Sequence, residues 1–491
     1  MKTFSIHTLG CKVNQYESQQ IRELLEEIGL KMAESPEKPD LVVINTCCVT
    51  HTASAKSRQY IRRARKQNPD VTVVVSGCLP TVQTGELDTP DISRLDGIYL
   101  IRNRADLSAT LTHITGSKAA PAVSQRAQAR PANPIKPKND DKIKHKTDGR
   151  KDERMMDDKG SDSAVRAPSS LADHLSSARR TAALPSLTCF RGHTRAFLKV
   201  QDGCDGYCTY CIVPKARPFV HNKPVDQALA EAQTLIKAGH REIVVTGIFL
   251  GAYGQSTVRR RNWPDRRSDK LADLLDKMAK LPNMGRIRLS SLEPGDMTPR
   301  LLDTICENRN IMPHLHLALQ SGSDAILRRM CRQYRVEQFR RTVELLKSRL
   351  DRPAITTDII VGFPGETDAD FEQTVELARQ VGFAKIHVFA FSPRKGTAAA
   401  DMDGAVNDAL IKERSQFLHE LGIELGIEYR SQFLGQTARV LVENNNAQIS
   451  GRAERYFTVA ISDPPANLEK NQIVQVKLLE NHEDRMVGIM L

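Results

Sequence analysis

The chain has 491 residues, 40% hydrophobic and 26% charged, with a formal net charge of +12. That is enough for about three domains and more than one core, and no apolar run approaches the roughly 20 residues of a membrane span. The basic balance is weak evidence for a polyanionic partner, because residues 116–187 alone carry 15 Lys and Arg against 9 Asp and Glu.

The N-terminal MKTFSIHTLGCKVNQYES lacks the apolar stretch of a secretory signal. This predicts a cytoplasmic protein whose ten cysteines stay reduced and serve metals or catalysis rather than disulfides. SIHTLG (5–10) reads as a strand, and residues 16–30 as a helix with Ile21, Leu24, Leu25 and Ile28 on one face. DLVVINT (40–46) and VTVVVSG (71–77) are apolar and β-branched, as buried parallel strands are, with a basic helix at 54–67 between them. The expected unit is an open α/β sheet. Cys11, Cys47 and Cys78 each follow one of its strands and so share the carboxyl edge, where such sheets bind ligands.

After GIYLIR (97–102) no aromatic residue occurs between Tyr99 and Phe190. Residues 116–187 are predicted to be a disordered insertion or linker, since they cannot bury enough apolar area to offset the entropy of ordering. Strand-like runs then stand at 196–202, 242–250, 286–293, 314–321, 355–362 and 385–392, with helical patterns at 225–238, 298–308, 336–349 and 368–381 among them. Six such repeats predict a parallel sheet curled into a partial (β/α)6 barrel, short of the eight of a TIM barrel. A helix near 406–432 closes it. The last stretch reads as a small all-β barrel, either a nucleic-acid-binding module or a cap on the preceding domain. As an RNA module it would offer Arg439, Arg452 and Arg455 to phosphates and Tyr456 to an unpaired base.

GCDGYCTYCIVP (203–214) spaces Cys204, Cys208 and Cys211 as C-x3-C-x2-C directly after the first strand of the six. Three thiolates are one short of a closed tetrahedral site, and no fourth Cys or His stands at zinc-finger spacing. Thiolates suit iron–sulfur clusters. On a 4Fe-4S cubane, three cysteines leave one iron open to the amino and carboxylate groups of an amino acid. S-adenosylmethionine (SAM) carries such a group, and an electron passed from the cluster to its sulfonium splits a C–S bond to leave a deoxyadenosyl radical.

At this spacing and place the three cysteines resemble the radical-SAM signature. The stretches TLGCKVNQYES, INTCCVT, SGC, CTYCIVPKAR, VTGIFLGAYG, RIRLSSLEP, PHLHLALQSGSD and TTDIIVGFPGET resemble the methylthiotransferase family over nearly all of the chain outside 116–187. GCKVNQYES is most similar to the branch acting on N6-threonylcarbamoyladenosine in tRNA. The branches for isopentenyladenosine and for a ribosomal-protein aspartate read more like G-C-Q-M-N and G-C-x-K-N.

The resemblance implies an N-terminal α/β domain (1–115), an insertion (116–187), a radical-SAM core (188–425) and a C-terminal, OB-like TRAM barrel (426–491). It implies a second 4Fe-4S cluster on Cys11, Cys47 and Cys78, with Cys47 chosen over its neighbour Cys48. The activity implied replaces the C2 hydrogen of the modified adenosine next to the anticodon with a methylthio group, one SAM giving the radical and a second the methyl. Partners would be the tRNA anticodon loop, a sulfur donor, and an electron donor such as flavodoxin or ferredoxin. The alternatives are the other two substrates or, from another class, an iron–sulfur RNA-binding protein without turnover.

Around the SAM cluster, Thr246 and Gly247 end the second strand, where the backbone could meet the methionine amino group or form a plain β–α turn. Ser291 and Glu293, then Gln320 and Ser321, then Asp358, Gly362 and Glu366 stand at the next three strand ends, on the barrel's active face. Glu293 and Asp358 are carboxylates beside a cationic ligand, or else helix caps. Leu79 and Pro218 stand where the family has an aromatic residue and Gly. STVRRRNWPDRR (256–267) is an exposed basic loop or a tRNA contact. Cys189, Cys306 and Cys331 lack partner spacing and read as inert.

Overall fold

The β-branched runs form the centre of a five-stranded parallel sheet: β1 (Thr3–Thr8), β2 (Lys31–Met32), β3 (Leu41–Thr46), β4 (Thr72–Gly77) and β5 (Ile98–Leu100), in the order β2-β1-β3-β4-β5. The computed structural model describes residues 1–34, 38–82, 85, 87, 92, 96–116, 184–263, 269–444 and 448–491. The segment expected to be an insertion lies almost wholly outside them. The central strands are apolar throughout because both faces are covered. Val42, Ile44, Val73 and Val75 share one core with Ile61 of the helix His51–Gln67, whereas Val43, Val74 and Phe4 meet Ile21 and Leu25 of the helix Lys12–Glu27.

The second unit has the six expected strands. β6 (Arg195–Lys199) is followed by a two-residue antiparallel clamp, β7 (Gln201–Asp202) with β8 (His221–Asn222), which brackets the cysteine loop. Next come β9 (Glu242–Thr246), β10 (Arg286–Leu289), β11 (His314–His316), β12 (Ala354–Val361) and β13 (Lys385–Ala390). They form two parallel sheets, β6-β9-β10 and β11-β12-β13, joined by single parallel bridges Ile287↔Ile311 and Leu292↔Leu317. The result is a partial barrel. Several strands stop short of the sequence reading, β9 at Thr246 rather than 250, because the residues beyond are turns of the site.

The chain ends in a closed barrel of β14 (Thr437–Asn444), β15 (Ser450–Ala453), β16 (Thr458–Ser462), β17 (Ile473–Asn481) and β18 (Met486–Met490). This barrel caps the N-terminal ends of the central strands. Arg286 donates to the carbonyls of Arg452 and Arg439 at 3.0 and 2.7 Å, and Tyr456 stacks on His314 with centroids 4.2 Å apart. Arg455 pairs with Asp351 at 2.8 Å, and Arg452 donates to the carbonyl of Tyr456 at 3.1 Å. The expectation that Arg452, Arg455 and Tyr456 meet RNA is therefore corrected. The Tyr456 ring meets the barrel floor at His314 and Arg288, while the Arg452 and Arg455 guanidiniums are engaged within the barrel and by the loop at Asp351 and Arg352.

Two helices serve more than one unit. Asp408–Ser431 puts Leu418, Leu421 and Leu425 into the central core and Tyr429 into the C-terminal one. Lys12–Glu27 is buried on two sides: Tyr16 packs into the central core, and its hydroxyl donates to Glu231 at 2.7 Å.

Candidate active site

The N-terminal half of the site is built on the sheet edge. Cys11 precedes the helix Lys12–Glu27, Cys47 follows β3, and Cys78 opens a short helix after β4. Gly10, at φ +108°, leaves room for them: a Cβ there would stand 2.9 Å from Cys47 Cβ and 3.1 Å from its Sγ. Asn14 ties the turns together, donating to Leu9 O at 2.9 Å and Thr46 O at 2.8 Å. The three thiols act on one another electrostatically. Cys11 keeps access to solvent, yet the protein packed around its thiol pushes its pKa up. Burial pushes Cys47 up to about 11. Cys78 goes down to about 5, because buried Cys48 donates to it and Arg217 and Arg104 favour the thiolate. The Arg104 guanidinium stands 3.4 Å from that sulfur.

The second half is the loop bracketed by β7 and β8. Gly203, at φ +79°, has no room for a side chain, since a Cβ would lie 1.7 Å from Phe219 O. Cys204 N donates to Arg217 O at 2.8 Å, and Gly206 N donates to Cys204 Sγ at 3.3 Å. Gln201 braces the loop: its Nε2 donates to Gly203 O at 2.7 Å and its Oε1 accepts from Phe249 N at 2.7 Å. Burial pushes Cys204 and Cys211 up to about 12. Arg332 reaches in from the far side, donating to Cys208 Sγ at 3.1 Å and to Glu293 Oε1 at 2.5 Å.

Arg217 joins the halves. It accepts from Cys204 through its backbone, while its guanidinium acts on Cys78 and donates to Glu17 Oε1 and Oε2, both at 2.8 Å, and to Asp202 at 2.6 Å. Burial alone would raise the pKa of Glu17, but Arg217, Lys199 and Arg104 overcome it and hold the carboxyl at about 2. Leu79 packs in the same core as Ile212 and Ala216 of the cysteine loop, so an aliphatic side chain fills that seam.

The strand-end residues fall into groups. Glu293 acts on Cys204 of the cysteine loop and also opens a capping box with Asp296, as its helix-cap reading expected. Gly247 abuts Gln201, and Thr246 is buried. Ser291 is exposed, whereas Ser290 is buried with its Oγ unpartnered. Gln320 sits at φ +67°, its N–H on Asp358 O at 2.8 Å. Ser321 accepts from Ser323 N at 3.1 Å, and Gly362 N donates to Glu366, which pairs with Arg414 at 2.6 Å. The Asp358 carboxylate turns to His316, at 3.2 Å. Sequence reasoning missed Arg332, Arg104 and Gln201, since lone polar residues in unremarkable contexts carry no local signal. The loop at 256–263 is not free: Thr257 and Val258 bind the Asp205 carboxylate at 2.6 and 2.8 Å, and Arg260 pairs with Glu293 and Asp296 at 2.6 and 2.7 Å. Arg266 and Arg267 lie outside the described residues.

Residues 198–378 match the family described as the Radical SAM superfamily, and residues 3–93 match uncharacterized protein family UPF0004. The chain is 32% identical over 487 residues to the threonylcarbamoyladenosine tRNA methylthiotransferase MtaB of Bacillus subtilis (strain 168), covering 98% of this chain and 94% of that one. A Chlamydia pneumoniae protein of the same name is 33% identical, covering 99% and 97%. The chain belongs to the methylthiotransferase family. A tRNA-2-methylthio-N(6)-dimethylallyladenosine synthase of Thermobifida fusca is also similar, 32% identical over 92% of this chain and 81% of that one.

The thiols of this methylthiotransferase suit iron–sulfur ligation. Four of them are held as neutral thiols by burial and would release protons to a metal. Guanidinium and N–H donors stand at Cys78, Cys204 and Cys208, where an anionic cluster needs them. Among the described residues no three ligand side chains converge as a single ion requires. A surface hollow bordered by Glu337, Asp368, Phe371 and Phe417 lies on the outer helices, away from both triads. Among the described residues no helix is long and apolar enough to cross a membrane.

Proposed function

We propose that this chain is a cytoplasmic radical-SAM tRNA methylthiotransferase acting on N6-threonylcarbamoyladenosine beside the anticodon, at C2 of the base. The observation that carries the reading is the pair of cysteine triads linked by Arg217. Cys204, Cys208 and Cys211 hold one 4Fe-4S cluster and SAM; Cys11, Cys47 and Cys78 hold a second. When bound, these groups supply radical generation, sulfur transfer and methylation.

The chain's own residues bind and orient. Thr246, Gly247, Ser291, Glu293, Gln320, Ser321 and Gly362 frame the SAM side, and the unpartnered Ser290 Oγ offers a further polar contact there. Arg332 and Gln201 keep the cysteine loop in register, and Arg217 fixes the distance between the triads. Residues 1–115, 188–425 and 426–491 are the functional units. tRNA, a sulfur donor and an electron donor are the partners.

The test is nucleoside mass spectrometry of tRNA from a strain lacking the protein. The methylthio form of threonylcarbamoyladenosine should vanish and return with the intact gene but not with Cys204→Ala. Loss of methylthio-isopentenyladenosine instead would move the chain to the other tRNA branch, and unchanged tRNA would leave the ribosomal-protein substrate.

A further inference from the structure

The first turn of the helix Lys12–Glu27 is seated over the central barrel. Glu17 meets Lys199 of β6 at 3.1 Å, and Tyr16 enters the central core between Lys199 and Lys223, whose ammonium groups stand 5.6 and 5.2 Å from its ring centroid. Lys12 is one helical turn before Tyr16 and shares its face. It is half-buried, and among the described residues its ammonium makes no hydrogen bond or ion pair. Its charge acts on Asp358 and His387 inside the barrel and, deeper, on His314 and Tyr456.

Among the described residues Asp358 has one side-chain partner, His316 at 3.2 Å, and His387 stands 5.8 Å from His316, ring to ring. An unpaired cation and a carboxylate with one side-chain partner therefore lie within electrostatic reach of each other. Groups left this way in a partly buried site cost free energy unless a ligand completes them.

We infer that Lys12 and Asp358 form the specificity subsite for the N6 substituent of the target base, Lys12 taking its carboxylate and Asp358 a hydroxyl or ureido N–H. This rests on the substrate reading above. A threonylcarbamoyl group offers a carboxylate, a hydroxyl and ureido N–H groups, and so satisfies both residues. A dimethylallyl group offers none and would leave both groups without a ligand partner. Sites built to pair polar groups reject analogues lacking them far more strongly than apolar pockets reject an extra group. Lys12 is then a specificity-determining residue, one position from a ligand of the N-terminal cluster.

The test compares binding of reconstituted enzyme to three anticodon stem-loops identical except at the target base: threonylcarbamoyladenosine, dimethylallyladenosine and adenosine. Wild type should prefer the first. Lys12→Met should reduce that preference at least tenfold by weakening only the threonylcarbamoyl RNA, with iron content unchanged, and Lys12→Arg should restore part of it. If Lys12→Met fails to hold iron, Lys12→Gln carries the same comparison. A wild type without the preference overturns the substrate reading and this inference with it. A wild-type preference that survives in an iron-loaded Lys12 variant overturns the inference alone.

Discussion

Arg332 shows how much of this site depends on single side chains. Its guanidinium spans Cys208, Glu293 and Tyr334 at 3.1, 2.5 and 3.2 Å, a fork that an ammonium cannot reproduce. Replacing residues that orient metal ligands typically costs ten- to a hundredfold. Arg332→Lys should keep the fold and the iron content yet slow reductive SAM cleavage by roughly that factor, read as 5′-deoxyadenosine released per minute. Gly203 is the backbone counterpart. With Phe219 O only 1.7 Å from where a Cβ would be, Gly203→Ala must displace the loop. Iron should fall by about half, on the basis of two four-iron clusters, while the N-terminal triad keeps its share. Full iron in the variant would mean that the loop is not a cluster cradle.

The cysteine spacing of this loop was legible because ligand and turn lie within a few residues of one another. The strands were legible because β-branched runs mark them, and the apolar stripe of Lys12–Glu27 was legible from its period. Its second buried face was not. Gln19 donates to Arg191 O at 3.0 Å, and Glu23 accepts from Thr188 N at 2.9 Å, partners far away in sequence that turn polar residues inward. The same holds for Arg332 and for Ser290, one position from the residue chosen from the strand-end pattern. Arg217 is the clearest case at the scale of elements, joining this helix to the cysteine loop. Arg217→Met would leave Glu17 and Asp202 facing each other with only Lys199 and the more distant Arg104 to balance them. Breaking a buried ion network in this way costs about 3–5 kcal/mol. The iron-free protein should show it as a lower melting temperature, and an unchanged melting temperature would show that the two units do not depend on this bridge.

The whole molecule is held from below by a charged floor. Glu242 is fully buried and meets Arg288 at 2.9 Å, with Arg286 at 3.7 Å and Arg195 at 3.9 Å. Burial would raise its pKa, but these arginines hold it below the usual value. A carboxylate depressed in the folded state contributes stability that is complete above its unfolded pKa, about 4.3, and lost as pH falls through the folded value. His314 adds to the acid limb: burial and the nearby Arg288 keep it neutral, so the unfolded chain gains a proton first as pH drops below 6.5. Glu242→Gln should be less stable near neutral pH, and its gap from wild type should close on acidification. Urea melts across that range would show it, and a gap independent of pH would remove Glu242 from the account.

The helix Asp408–Ser431 has a consequence for how the protein is made. Leu418, Leu421 and Leu425 complete the central core, and Tyr429, near the helix end, waits for strands made after it. A chain terminated after this helix would carry the ring of Tyr429 on an otherwise finished surface, with the floor arginines Arg286 and Arg288 stripped of the carbonyls they bind. Incomplete copies thus display apolar and charged surface that complete ones hide, so chaperones and proteases can sort truncated enzyme from finished enzyme before any iron is spent on it.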